Sequence, residues 1–165
     1  MIVIADSSAL VALSVCDILH LLEPLFGEVK IPQAVFDEVN IANKPEAKTL
    51  KQFLADKISP VSLATVTIEK SNGLGKGELE AIALYKHLEA DLLLIDDARA
   101  KKVAYINNVE VMGSLGVLLL AKQHGLITSV QLLLDKLSNS DVFISDYLLE
   151  QILIMAGESV QSSQK

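Results

Sequence analysis

Two short, uninterrupted apolar runs, each closed by an acid, constrain this chain most. Ile2-Val3-Ile4-Ala5 ends in Asp6-Ser7-Ser8, and Leu92-Leu93-Leu94-Ile95 ends in Asp96-Asp97. Apolar runs without polar alternation suit strands covered on both faces, the condition of a parallel sheet flanked by helices. Around them the pattern switches to helical stripes. Strands are predicted over 2–5, 28–31, 91–95 and 109–112, with a further one over 58–63 broken by Pro60. Helices are predicted over 9–20, 33–42, 45–56, 76–89, 98–107, 115–124, 128–137 and 145–156. Pro32 opens the second of these from its favoured first-turn place, and Gly125 closes the sixth. Such alternation predicts a doubly wound α/β domain with a mostly parallel sheet, spanning 1–156. Residues 157–165 read as a polar tail, expected to be disordered.

Composition narrows the function classes. A hydrophobic content of 51% excludes disorder for the body of the chain. Cys16 is the only cysteine, which excludes a disulfide scaffold and suits a reducing cytoplasm. No apolar run approaches the roughly 18 residues of a membrane span. The N-terminus lacks a basic region and reads as a buried strand, not a signal peptide. With 14 basic and 21 acidic residues, the net charge of −7 argues against a broad electrostatic grip on nucleic acid. High hydrophobicity with 4% aromatics points to an aliphatic α/β core, with apolar surface left over for an oligomer.

In open α/β sheets, ligands bind beyond the carboxyl ends of the strands. That rule selects Asp6, Asp96 and Asp97. Asp6 alone reads equally as a helix N-cap. Two adjacent acids after Ile95 exceed what one cap needs, and they repel unless a cation or proton lies between them. Glu38 shares a helical stripe with Val35, Val39 and Ala42, so a carboxylate interrupts an apolar face and needs a partner or solvent. Glu78 opens the helix after Gly73-Leu74-Gly75-Lys76-Gly77, where an acid ordinarily compensates the helix dipole. These glycines do not form a phosphate loop: Gly75-Lys76-Gly77 lacks the Ser/Thr of the Walker pattern, and GxGxxG is absent.

Taken in order, four segments resemble a PIN domain. They are Ile4-Ala5-Asp6-Ser7-Ser8 with the segment Ile31 to Val39, Gly77-Glu78-Leu79-Glu80-Ala81-Ile82, Leu93-Leu94-Ile95-Asp96-Asp97-Ala98-Arg99, and Val111-Met112-Gly113-Ser114-Leu115. The likeness is to a prokaryotic PIN-like subfamily with Gly-Glu and Ile-Asp-Asp motifs, and it runs from about residue 2 to 156. It implies a three-layer α/β/α sandwich. It also implies an Mg²⁺- or Mn²⁺-dependent endoribonuclease of cytoplasmic location, similar to the toxins of toxin–antitoxin pairs. Its implied partners are RNA, a small antitoxin protein and a second copy of the chain.

Carried over by position, the family's acids fall on Asp6, Glu38, Glu78 and Asp97, with Asp96 beside the last. Ser8 takes the supporting polar position. Glu78 stands where Asp is common, one methylene longer. The residue types suit hard divalent cations, one or two of them, which prefer carboxylate and water oxygens. Arg99 and Lys76 are candidates for contact with a phosphate or RNA.

The other titratable groups read as structural. His20, His87 and His124 fall on separate helices without metal spacing, and Cys16 reads as core. Lys101 and Lys102 read first as an exposed face, with contact to RNA as the alternative. Ser7 and Ser8 have no His partner for a Ser-His-Asp hydrolase. A phosphoacceptor receiver or a dehalogenase-type phosphatase needs a second acid close to Asp6, and Asp6-Ser7-Ser8 supplies none. The alternative that stays open is a catalytically weak or inactive PIN-like module that binds RNA or a protein.

Overall fold

The computed structural model describes residues 1–41 and 45–158. Within these residues there are four strands and nine α-helices. The strands are β1 (Ile2–Ala5), β2 (Glu28–Lys30), β3 (Leu92–Leu94) and β4 (Val111–Met112). They form one parallel sheet in the order β2-β1-β3-β4. Val3 pairs with Val29 on one side and with Leu92 on the other.

The period of two in each strand sorts the core into two layers. Val3, Ala5, Val29 and Leu94 face one apolar cluster, and Ile4, Leu93 and Ile95 face the other. The first cluster is filled by α1 (Ser7–Val15), α3 (Gln33–Ile41), α4 (Ala47–Leu54), α7 (Ser114–Gln123) and α8 (Val130–Ser138). Short α2 (Leu22–Phe26) and the last helix, α9 (Asp146–Met155), close its edges. The second is filled by α5 (Lys76–Leu88) and α6 (Ala98–Ile106). Helices therefore cover both faces, as apolar strands without polar alternation require. The fold is the expected α/β/α arrangement.

Two predicted elements differ. The helix predicted over 9–20 starts earlier, at Ser7, and stops at Val15. Asp17 takes a left-handed conformation (φ 59°), and the chain turns through a 3-10 segment, Leu19–Leu21, into α2. The strand predicted over 58–63 shrinks to a single bridge between Ile31 and Ile58. Ile31 N–H donates to the Lys57 carbonyl and Ser59 N–H to the Ile31 carbonyl. The ladder ends there because the partner segment turns into α3 at Gln33, two residues after Ile31, and leaves nothing further to pair with.

Among the described residues no single helix is long and apolar enough to cross a membrane. Ala42, predicted on the stripe of Glu38, lies outside the described residues, as do 159–165. Glu158, which the sequence reading put in the polar tail, is held firmly. It accepts from Lys122 Nζ at 2.6 Å and from the N–H groups of Val130 and Gln131 at 2.7 and 3.0 Å.

Candidate active site

Strand order reverses direction between β1 and β3, so the crevice beyond their carboxyl ends is the expected ligand position. Asp6 follows β1 there, with its N–H donating to the Leu94 carbonyl at 2.8 Å. Its side chain is only 1% exposed. It caps α1: Oδ2 accepts from Ser8 N at 3.2 Å and from Ser8 Oγ at 2.8 Å. The capping reading of Asp6 is thus correct for one oxygen. The other, Oδ1, is buried with no hydrogen-bond partner.

Burial pushes the Asp6 carboxyl up to about 6; the Ser8 hydroxyl and N–H pull it down, and the charges of Glu78 and Glu38 add to the rise. A buried carboxylate oxygen without a donor, close to two like charges, is costly. A cation relieves all three conditions at once.

Glu38 comes from the exposed side of α3. Ser7 Oγ donates to its Oε1 at 2.9 Å. The carboxylate lies against Gly77 of α5, where a Cβ would fall 2.5 Å from Oε2 and 2.6 Å from Cδ. A glycine is needed at 77 for Glu38 to lie where it does. Glu78 follows on the same helix, half-buried, and its Oε1 accepts from Gly75 N at 2.9 Å. It does close the start of α5, as dipole compensation predicts, while its charge still reaches Asp6.

Asp96 and Asp97 divide their work. Asp97, exposed, caps α6 by accepting from Ala100 N at 2.8 Å. Asp96 takes the N-terminus of α7: Oδ1 accepts from Ser114 N at 2.6 Å and Oδ2 from Ser114 Oγ at 2.8 Å. Contrary to the expectation from sequence, two adjacent acids do not exceed what capping needs, because two helices begin at this point and each acid caps one. Ser8 Oγ also accepts from Asp96 N at 2.9 Å, so the hydroxyl ties Asp96 to Asp6. Of the adjacent pair, Asp96 is the one linked, through Ser8 Oγ, to the buried acid.

Lys76 is 77% exposed, with Nζ 4.0 Å from Glu80 Oε2. The Arg99 guanidinium rests over Gly73, 3.3 Å from where its Cβ would be. Both basic groups are on the side of the glycine loop. Cys16 is buried, and burial pushes its thiol up to about 11, so it is an inert core residue.

One buried acid escaped the sequence reading. Glu80 is buried, and its Oε1 accepts from Ala34 N at 3.1 Å. The signal was present: α3 follows Pro32, which offers no side-chain acceptor, so its N-terminus needs one from elsewhere.

A sequence model of the family described as a PIN domain matches residues 2–158. The chain belongs to the PIN domain family. This is a nuclease fold, generally dependent on divalent metal ions. No curated protein matches the chain in a sequence comparison. As placed, no three His, Cys, Asp or Glu side chains among the described residues are close enough to share one ion. The donor set nevertheless suits the metals of PIN domains. All its members are carboxylates, the preferred ligands of hard cations, and Asp6 Oδ1 is a buried acceptor without a donor.

Proposed function

We propose that this PIN domain is an endoribonuclease that hydrolyses RNA phosphodiesters with Mg²⁺ or Mn²⁺. The observation that carries this reading is the buried, unpartnered Oδ1 of Asp6, raised in pKa beside Glu38 and Glu78. Asp6 with Glu38 and Glu78 would hold the cation, directly or through water, with Asp96 and Asp97 behind them. A cation so held activates water, orients the scissile phosphate and stabilises the leaving oxygen.

The chain's own residues prepare that site. Ser8 fixes Oδ2 of Asp6, which leaves Oδ1 as the presented acceptor. Ser7 orients Glu38, and Gly77 makes room for it. A carboxyl titrating near 6 gives up its proton when a cation binds, so affinity rises with pH through that range. Arg99 and Lys76 are proposed to meet RNA phosphates from the glycine-loop side.

The test is thermal stability with and without Mn²⁺ or Mg²⁺, then RNA cleavage, for the wild type and Asp6→Asn. At a hundredfold excess of metal over its dissociation constant, the wild type gains about 2.7 kcal/mol. Asp6→Asn is indifferent to metal and does not cleave. A wild type that ignores millimolar metal contradicts the reading.

The resemblance to toxin ribonucleases extends it to the toxin of a toxin–antitoxin pair, with a small antitoxin protein as partner. Growth arrest on induction of the wild type, absent with Asp6→Asn and relieved by a small neighbouring gene product, checks that. A homodimer is proposed from large apolar side chains left in solvent, among them Tyr147 and Met155 of α9, and light scattering tests it.

One observation favours a second reading, a non-catalytic module that binds RNA or protein. Glu78, Asp96 and Asp97 all close helix N-termini, and among the described residues no three acids converge as placed. Metal-independent RNA binding without cleavage, with no metal response, would select it.

A further inference from the structure

A cavity of about 300 Å³ adjoins the acid cluster on the β4 side. Asp96, Lys101 and Ser114 line it together with Val142, Phe143 and Leu148. Asp96 belongs to both places: it forms the cavity wall and is tied through Ser8 Oγ to Asp6. We infer that this cavity is a subsite for one unpaired nucleobase of the strand whose phosphate lies at the acids, with Phe143 as its stacking partner. The inference deepens the nuclease reading and rests on it.

Size comes first. About 300 Å³ is the lower end of the range for small-ligand sites, roughly a base with its sugar, and too little for a helix of a protein partner. Chemistry comes second. A base is a flat apolar plate with a polar rim, and the cavity is lined by apolar and by polar side chains. Lys101 Nζ and Asp96 Oδ1 both lie against Gly113, each 2.9 Å from where its Cβ would be. Lys101 is therefore placed as a donor to a base edge or to the adjoining phosphate.

Phe143 supplies the third argument. It is 88% exposed, although it is one of only four phenylalanines in a chain without tryptophan. Left in water, the ring gains nothing from burial. Stacked on a base it gains about 1–3 kcal/mol.

Charge points the same way. At a net −7 the chain as a whole offers a strand little electrostatic attraction. Beside the few phosphate contacts open to Lys101, Arg99 and Lys76, more of the affinity then falls to contacts that do not depend on charge, and stacking on Phe143 is one of them. A shallow salt dependence follows.

The experiment replaces Phe143 with Trp, which becomes the chain's only tryptophan. Its emission is followed in EDTA, without cleavage, against a short unpaired RNA, the same strand made abasic, and the same strand fully paired. The unpaired RNA is expected to quench the emission and bind with a shallow salt slope, whereas the abasic and paired strands bind about tenfold or more weakly. Fluorescence anisotropy of labelled RNA gives the companion result: Phe143→Ala weakens binding about tenfold and Phe143→Trp restores it. Phe143 is exposed, so neither change threatens folding.

Equal binding of the abasic strand, wild-type affinity in Phe143→Ala, or no binding of unpaired RNA overturns the inference. A peptide partner displaced by Phe143→Ala, with RNA unaffected, overturns it in favour of a protein-binding rim. The nuclease reading fails separately: the Mn²⁺ response of wild type against Asp6→Asn does not involve Phe143.

Discussion

Asp6 and Glu158 are both largely withdrawn from solvent, and both close a helix N-terminus, yet the protein treats them in opposite ways. The Glu158 side chain is 13% exposed. Burial alone would raise its pKa, but Lys122 and the N–H groups of Val130 and Gln131 overcome that and hold it down at about 2. Asp6 receives donors only from Ser8, keeps Oδ1 unpartnered, and stands near 6. The difference separates a structural acid from a poised one. At the end of α9 the fold supplies a cation and enough donors to satisfy the charge. At the carboxyl end of β1 it supplies two further negative charges and leaves the shortage to an outside ligand.

The largest effect is expected where the shortage lies. Asp6→Asn removes a charge that the metal-free fold disfavours. A carboxyl raised from 3.8 to about 6 corresponds to roughly 3 kcal/mol near pH 7, so the metal-free variant is more stable than the wild type by up to that order. Denaturant titration in EDTA measures it, and a destabilised variant would remove the contrast with Glu158.

The pH profile sharpens it. With a raised folded pKa, the contribution of Asp6 is full below about 3.8 and is lost as pH rises through about 6. Glu158 runs the other way: its contribution is present above about 4.5 and is lost as pH falls toward about 2. Glu158→Gln therefore lowers stability at neutral pH by about 1–3 kcal/mol, through weakened charge-assisted bonds. It also flattens the acid limb alone. Urea midpoints across the pH range show whether the two limbs separate in this way.

Ser8→Ala comes next. It removes the hydroxyl that joins Asp6 to Asp96 and leaves the Asp6 cap on Ser8 N, at a cost of about 1 kcal/mol. Its sharper sign is a further rise of the Asp6 pKa, visible by carboxyl NMR titration.

Gly77→Ala is expected to have the smallest effect on stability and a large one on the site. A Cβ there displaces only the far end of an exposed Glu38 side chain, while alanine favours the helix by up to about 1 kcal/mol. Near-neutral stability with a weakened Mn²⁺ response is the expected pair of results. An unchanged metal response would remove Glu38 from the site.

The α/β alternation, the buried strands and the positions of Asp6, Asp96 and Asp97 at strand ends were all legible in the chain, because periodicity and strand termination are local properties. Glu38 reads from the sequence as an acid in an apolar stripe, whereas it lies at the solvent edge of that stripe, outside the buried Val35 and Val39. What each acid does was not legible. Asp96 and Asp97 looked like one redundant pair until the beginning of α7, 18 residues away, was placed beside them. Glu80 meets a helix start 46 residues distant, and Glu158 one that is 28 residues distant. The strand read over 58–63 failed for a similar reason, since only Ile31 was there to pair with it. Sequence by itself determined which segments are strands and helices, through the spacing of apolar residues and the Gly and Pro positions. Only the tertiary structure decided which carboxylates find donors and which remain short of them, because helix N-termini and lysines become partners of an acid only when distant segments pack together.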